Sequence, residues 1–202
     1  VIRLQLASRS GTPVTLFLKR EWSIRWKYVL RQALRGRGFW TPPRTEFEVL
    51  TRLAAAGVHA PRPVMCLQRM GLRPSACLLL EAVPNPTTLN NYLATTLRDA
   101  SLPRREAFFA KLGSEVARLH ACGVHQPRLF SNQIYLTENQ STPSAVAGNG
   151  AARMHAAGMS RGNPTADEGR QPQFGFWGFR RALLYDPLPV ALRMDGIASL
   201  LA

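Results

Sequence analysis

The residues best suited to chemistry fall in three places along the chain. Residues 123–136, GVHQPRLFSNQIYL, bring together His125, Gln126, Arg128, Asn132 and Gln133 with no carboxylate among them. An amide oxygen such as that of Gln133, or of its neighbour Asn132, can meet a Mg²⁺ ion. Both residues also suit a plain turn and strand edge. Arginine is permanently cationic, so Arg128 can hold an anion but cannot accept a proton. Upstream, Lys19 stands between apolar residues in LFLKRE, and Glu46 stands near the start of TEFEVLTRLAAAG. Taken singly, Lys19 reads as an edge-strand charge with its head in water. Glu46 reads as a carboxylate favoured by the helix N-terminus. Downstream, Asp186 in LLYDP is either a turn-initiating Asp before Pro or an oxygen donor for a metal.

The elements that must position these groups are legible from periodicity. VIRLQL alternates, ASRSGTP supplies turn residues, and VTLFLKR is rich in β-branched and aromatic residues, which together predict a hairpin over residues 1–20. EWSIRWKYVLRQALRGRGFW follows as a basic, aromatic stretch, either a helix or an ordered insertion. TPP is a helix entry, with Thr41 as cap and Pro42 in the first turn. In the helix that follows, Phe47, Leu50 and Leu53 or Ala54 share one face, Glu48 points to another, and Gly57 ends the run. VMCLQR and SACLLLEAV predict two antiparallel strands joined by MGLRP, and NPTTLNNYL opens a short helix. PRREAFFAKLGSEVARLHACG is the strongest helical pattern, with an apolar stripe of Phe108, Phe109, Leu112, Val116 and Leu119. QIYL is a strand. Residues 138–173, rich in Gly, Ala, Ser, Asn and Pro without a period, predict a flexible insertion. FGFWGF resumes apolar order, and LRMDGIASLLA begins a further helix.

Composition narrows the possibilities. Two hundred and two residues suffice for one medium domain or two small lobes sharing a cleft. No run of 18 or more apolar residues exists to span a membrane. The chain starts at Val1 without a signal pattern and stops in mid-pattern at Leu200-Leu201-Ala202, as expected of a sequence cut at both ends. Against 12 Asp and Glu stand 26 Lys and Arg, for a net charge of +14. Only Lys19, Lys27 and Lys111 are lysines. Such a balance favours anionic partners: phosphorylated sugars, a membrane surface or nucleic acid. The arginines form no block of five or six, and no basic patch is interleaved with aromatics as single-strand binding requires, so nucleic acid is not expected. Cys66, Cys77 and Cys122 are odd in number and lack CxxC spacing. They argue against a disulfide framework or zinc site and for a reducing compartment.

The order of these segments resembles the protein-kinase-like fold, and the local sequence is similar to the lipopolysaccharide kinase (Kdo/WaaP) family. LFLKRE resembles the strand bearing the ATP-anchoring lysine. TEFEVLTRLAAAGVHAPRPV resembles the helix with its glutamate, SACLLLEAV the strand into the hinge, and LGSEVARLHACGVHQPRLFSNQIYL the helix and catalytic loop. RMDGIASLL resembles an R-x-x-D-L-A-x-L ending. The resemblance implies an α+β, two-lobed fold. A β-rich N-lobe would span residues 1–83, and a mainly helical C-lobe residues 84–202, with a hinge near Glu81–Pro86. It also implies ATP and Mg²⁺ as cofactors. Lys19 paired with Glu46 would hold the phosphates, Glu81 and Val83 would meet the nucleotide at the hinge, and Gln133 or Asp186 would serve the metal.

The chain departs from the family pattern at the reacting centre. Laying GVHQPRL on G-V-x-H-x-D-L puts Gln126 at the histidine and Arg128 at the catalytic aspartate; sliding to His125 puts Pro127 there instead. In FGFWGFRR, Gly178 and Arg180 fall on the two acids of a D-x-D-R element, with Asp195 then on the closing helix. A phosphate-covering Gly-rich loop is not present in residues 1–20. The resemblance therefore implies a degenerate member: ancestral ATP-dependent phosphoryl transfer to an inner-core sugar, heptose or Kdo, with catalysis impaired. The alternatives are a divergent active sugar kinase using Asp186, or a basic scaffold that docks anionic glycolipid. The implied location is the cytoplasm, at the inner face of the inner membrane, with peripheral membrane contact.

Overall fold

A computed structural model describes residues 1–7, 11, 13–127, 129–137 and 172–185. Arg128, Asp186, Asp195, the closing helix start and residues 138–171 of the expected insertion lie outside the described residues. Gln173, which the expected insertion included, instead opens a strand.

Strands β1 (Ile2–Ala7) and β2 (Pro13–Glu21) form the hairpin, with Ile2 opposite Leu18 and Ala7 opposite Pro13. The basic aromatic stretch contains a helix, α1 (Trp26–Leu34). Helix α2 (Pro42–Ala55) starts where the sequence signals it: the Thr41 side chain accepts from the Arg44 N–H, and Pro42 and Pro43 occupy the first turn, where no N–H is required. Strands β3 (Pro63–Arg69) and β4 (Ser75–Glu81) complete an antiparallel sheet of order β1-β2-β4-β3. Along β4, Ala76, Leu78 and Leu80 are buried and their neighbours half-buried, the period of two expected of a sheet with one face on the core.

The remainder is helical with two small sheets. β5 (Thr87–Thr88) leads into α3 (Leu89–Thr95), capped by the Thr88 hydroxyl, and α4 (Leu102–Ala121) runs 20 residues. β6 (Val124–His125), β7 (Ile134–Thr137), β8 (Gln173–Phe176) and β9 (Leu183–Leu184) pair as β5-β7-β8 and β6-β9. One apolar core joins Val49, Leu50 and Leu53 of α2, Leu78 and Leu80 of β4, Phe108, Leu112, Val116 and Leu119 of α4, and Ile134, Phe174 and Phe176 of the small sheet. On α2 the choice between Leu53 and Ala54 goes to Leu53, which is fully buried. On α4 the expected stripe needs one correction: Phe109 is exposed and meets the buried Phe108 ring edge-on at 5.5 Å. The whole is an α+β fold of antiparallel sheets and helices. Among the described residues no helix is long and apolar enough to cross a membrane.

Candidate functional site

The inner end of β2 builds one wall of a cleft. Side chains two apart on a strand point to the same face, so Lys19 and Glu21 stand side by side. Helix α2 lies behind them. Its inward stripe of Val49, Leu50 and Leu53 also carries Glu46, one turn earlier, and buries it. Lys19 Nζ donates to Glu46 Oε1 at 2.6 Å, with the Glu46 side chain 6% exposed and that of Lys19 32%. Glu48 faces elsewhere and pairs with Arg44 one helical turn back. The sequence-predicted pair is therefore present, and its competitor is committed to another partner.

The opposite wall comes from the loop after β6 and the turn after β8. The Gln126 amide donates to the Gly178 carbonyl at 3.1 Å and lies at the 3.5 Å limit from Gln133 Oε1, which also accepts the Phe130 N–H at 3.2 Å. The Trp177 N–H donates to the Gln133 carbonyl at 3.0 Å, and its indole N–H to the Asn132 carbonyl at 2.8 Å. Gly178 has φ +79°, which the sequence meets with the one residue that adopts it without strain. These bonds lock the two loops together. Arg180, two residues on, reaches back across the cleft to Glu21, Nε to Oε1 3.0 Å.

The space between the walls is about 720 Å³, within the range of small-molecule sites, and Lys19, Glu21, Glu46, Gln126, Gln133, Gly178 and Arg180 all face it. Glu21 went unnoticed in the sequence, although its position two residues beyond Lys19 on one strand is a signal that could have found it. Burial pushes the Glu21 carboxyl above its ordinary value, against the opposing pull of the Arg180 guanidinium; Glu46 adds to the rise. Glu81, Val83 and His125 are not among the residues that line this space. Glu81 ends β4 with its carboxylate 3.8 Å from Arg62 and its N–H on the Arg62 carbonyl, and Val83 is half-buried. His125 is buried in β6, with Nδ1 unpartnered among the described residues.

A divalent cation does not fit the donors described here. Glu46 is committed to Lys19 and Glu21 to Arg180, the Gln133 oxygen is already an acceptor, and Gly178 offers no side chain. Mg²⁺ needs near-octahedral oxygens, normally including carboxylates. No group of three metal-ligating side chains exists among the described residues. Two ion pairs line the cleft, Lys19 with Glu46 and the largely exposed Arg180 with Glu21. That arrangement suits an anion with several oxygens.

Comparison with known proteins identifies the family and the fold. Residues 15–149 match the model of the lipopolysaccharide kinase (Kdo/WaaP) family. The chain is 35% identical over 94 residues to a 3-deoxy-D-manno-octulosonic acid kinase of Vibrio parahaemolyticus, covering 46% of this chain and 37% of that protein. It is 31% identical over 96 residues to the Vibrio cholerae protein of the same name, covering 47% and 38%. The matched stretch is thus about two-fifths of those relatives' length. Among solved structures, WaaP in complex with acyl carrier protein superposes with a TM-score of 0.59 at 15% identity, covering 98% of this chain and 65% of that one.

Proposed function

The chain belongs to the lipopolysaccharide kinase (Kdo/WaaP) family, and from that premise we propose that its cleft holds the polyphosphate of ATP while phosphoryl transfer is crippled. The observation that carries this reading is the Lys19–Glu46 pair at 2.6 Å, facing Arg180 across a cleft of nucleotide size. A lysine fixed by a buried carboxylate is preorganised: its ammonium points at the cleft before any ligand arrives, so little is lost in ordering it. Arg180 adds a planar donor fork matched to phosphate oxygens.

The missing half of the apparatus is acidic. Phosphoryl transfer is positioning plus neutralisation of developing charge, and it needs a group to orient the attacking hydroxyl. At the position that the family's aspartate would take, this chain has Arg128; at the metal positions it has Gly178 and Arg180. The ancestral reaction on this reading is transfer from ATP to an inner-core sugar, heptose or Kdo, at the cytoplasmic face of the inner membrane. The N-lobe of residues 1–83 and C-lobe from residue 84, with Glu81 and Val83 at the hinge, belong to the same reading. They place the adenine beyond the cleft described above.

Calorimetry with ATP, in the presence and absence of Mg²⁺, on wild type and Lys19→Ala tests it. Binding that needs Lys19 and is indifferent to Mg²⁺ is the expected result. Binding with steep Mg²⁺ dependence would restore the active-kinase reading, with Asp186 as the carboxylate. No binding in either condition would leave a relic or scaffold.

A further inference from the structure

Helix α1 carries one buried and one exposed apolar face among the described residues. Val29 and Gln32 are buried, and Val29 joins Ile24 and Ala76, at the start of β4, in a small separate core. Trp26, Leu30 and Leu34 recur every four residues on another face, and all three are exposed, Leu30 at 49% and Leu34 at 89%. One position further round, Lys27, Arg31 and Arg35 repeat the same spacing and are also exposed. The Trp26 indole N–H donates to the Leu72 carbonyl at 3.2 Å, so the β3–β4 turn, with Leu72 98% exposed, continues the apolar stripe beyond the helix. From Trp22 to Thr45 there is no Asp or Glu.

An exposed Trp and three exposed Leu in one strip, flanked by a row of cations, is an unfavourable surface in water alone. Its two halves fit one kind of partner. Leucine side chains and an indole enter the boundary between lipid headgroups and acyl chains, while lysine and arginine beside them meet anionic headgroups. Nucleic acid would use the cations and the indole but would leave the leucines in water, since bases stack on aromatic rings. We propose that the outer face of α1, with the tip of the β3–β4 turn, docks the protein on an anionic lipid bilayer surface. The proposal gives a location to the membrane contact in the reading above, yet it uses no residue of the cleft.

The test is flotation of the purified chain with vesicles of phosphatidylcholine alone and of phosphatidylcholine and phosphatidylglycerol in equal parts. The expected result is binding at least about tenfold tighter to the anionic vesicles, weakened by salt. Leu30→Ser/Leu34→Ser and Arg31→Glu/Arg35→Glu should each weaken that binding by at least about tenfold. Both pairs are solvent-facing, so circular dichroism should show native melting. ATP binding, measured on the same preparations, should be unchanged. Equal binding to neutral vesicles, or binding that survives both double variants, overturns the proposal. So does binding to single-stranded nucleic acid or an acidic protein but not to vesicles. Lys19→Ala separates the two readings: it should abolish nucleotide binding and leave vesicle binding intact. Loss of vesicle binding in the α1 variants cannot rescue a cleft that fails to bind ATP, nor can ATP binding rescue a chain that ignores vesicles.

Discussion

Lys19 and Glu46 lie 27 positions apart, and each is ordinary until the fold brings them together. Breaking a fully buried ion pair by removing one partner costs about 3–5 kcal/mol. With Lys19 about one-third exposed, Lys19→Ala should cost about 1–3 kcal/mol in urea unfolding. Adding Glu46→Gln should recover most of that stability, because the uncompensated carboxylate is gone, without recovering ATP binding. Full stability in the single variant would mean the pair is solvated and not preorganised. Glu21 gives a second expectation. Its carboxyl is raised in the folded state by burial, so between the ordinary value of 4.5 and the raised one the native protein binds more protons than the unfolded chain. Stability therefore falls as pH rises through that window. Glu21→Gln removes the falling limb, and the difference between variant and wild type, from denaturant unfolding at a series of pH values, should grow in favour of the variant as pH rises from 4.5. A difference independent of pH would show that Glu21 titrates normally.

At the scale of elements, the cleft depends on a sharp exit from α4. Gly123 has φ +71°, and a Cβ there would collide with the Tyr185 carbonyl oxygen, which also accepts from Arg52 Nη1 at 3.1 Å. The Tyr185 N–H in turn donates to the Gly123 carbonyl at 2.8 Å, extending the β6–β9 pairing. Gly123→Ala combines a left-handed backbone with overpacking, an expected loss of about 2–4 kcal/mol by urea unfolding. Since β6 leads into the loop that holds Gln126, ATP affinity should fall with it. From the sequence Gly57 reads as a helix stop, and no such reading was made of Gly123. That its α-hydrogen faces a carbonyl from residue 185 was not legible either, because a contact over sixty positions leaves no local pattern. The same holds for α1. Its sequence allowed a helix or an insertion, and the choice depended on whether Ile24, Val29 and Ala76 could meet.

For the molecule as a whole, the decisive property is how charge is distributed around the cleft. The two carboxylates that line it are each tied to a cation, and on the proposed reading the places of the missing acids hold arginine and glycine. Restoring them tests the assignment of the entire site. Arg128→Asp/Gly178→Asp should convert Mg²⁺-independent ATP binding into Mg²⁺-dependent binding, measured by calorimetry. Aspartate is among the residues that best tolerate the left-handed backbone at position 178. A double variant that folds and gains no Mg²⁺ dependence would overturn the alignment of these two positions.

The sequence by itself determined the hairpin, the capped α2, the long α4, the β3–β4 pair and the family. Each rests on local periodicity, on capping chemistry or on the order of short motifs, all of which are written in neighbouring residues. The sequence alone also shows that the stretch GVHQPRLFSNQIYL carries no carboxylate, because residue identity needs no coordinates. Only the tertiary structure gave the Lys19–Glu46 pair its burial and its 2.6 Å contact. It alone tied Glu21 to Arg180 and, among the described residues, left the outer face of α1 exposed. These depend on which faces of separate elements pack together, a choice made by the burial of Leu50, Leu78, Leu119 and their neighbours in one core.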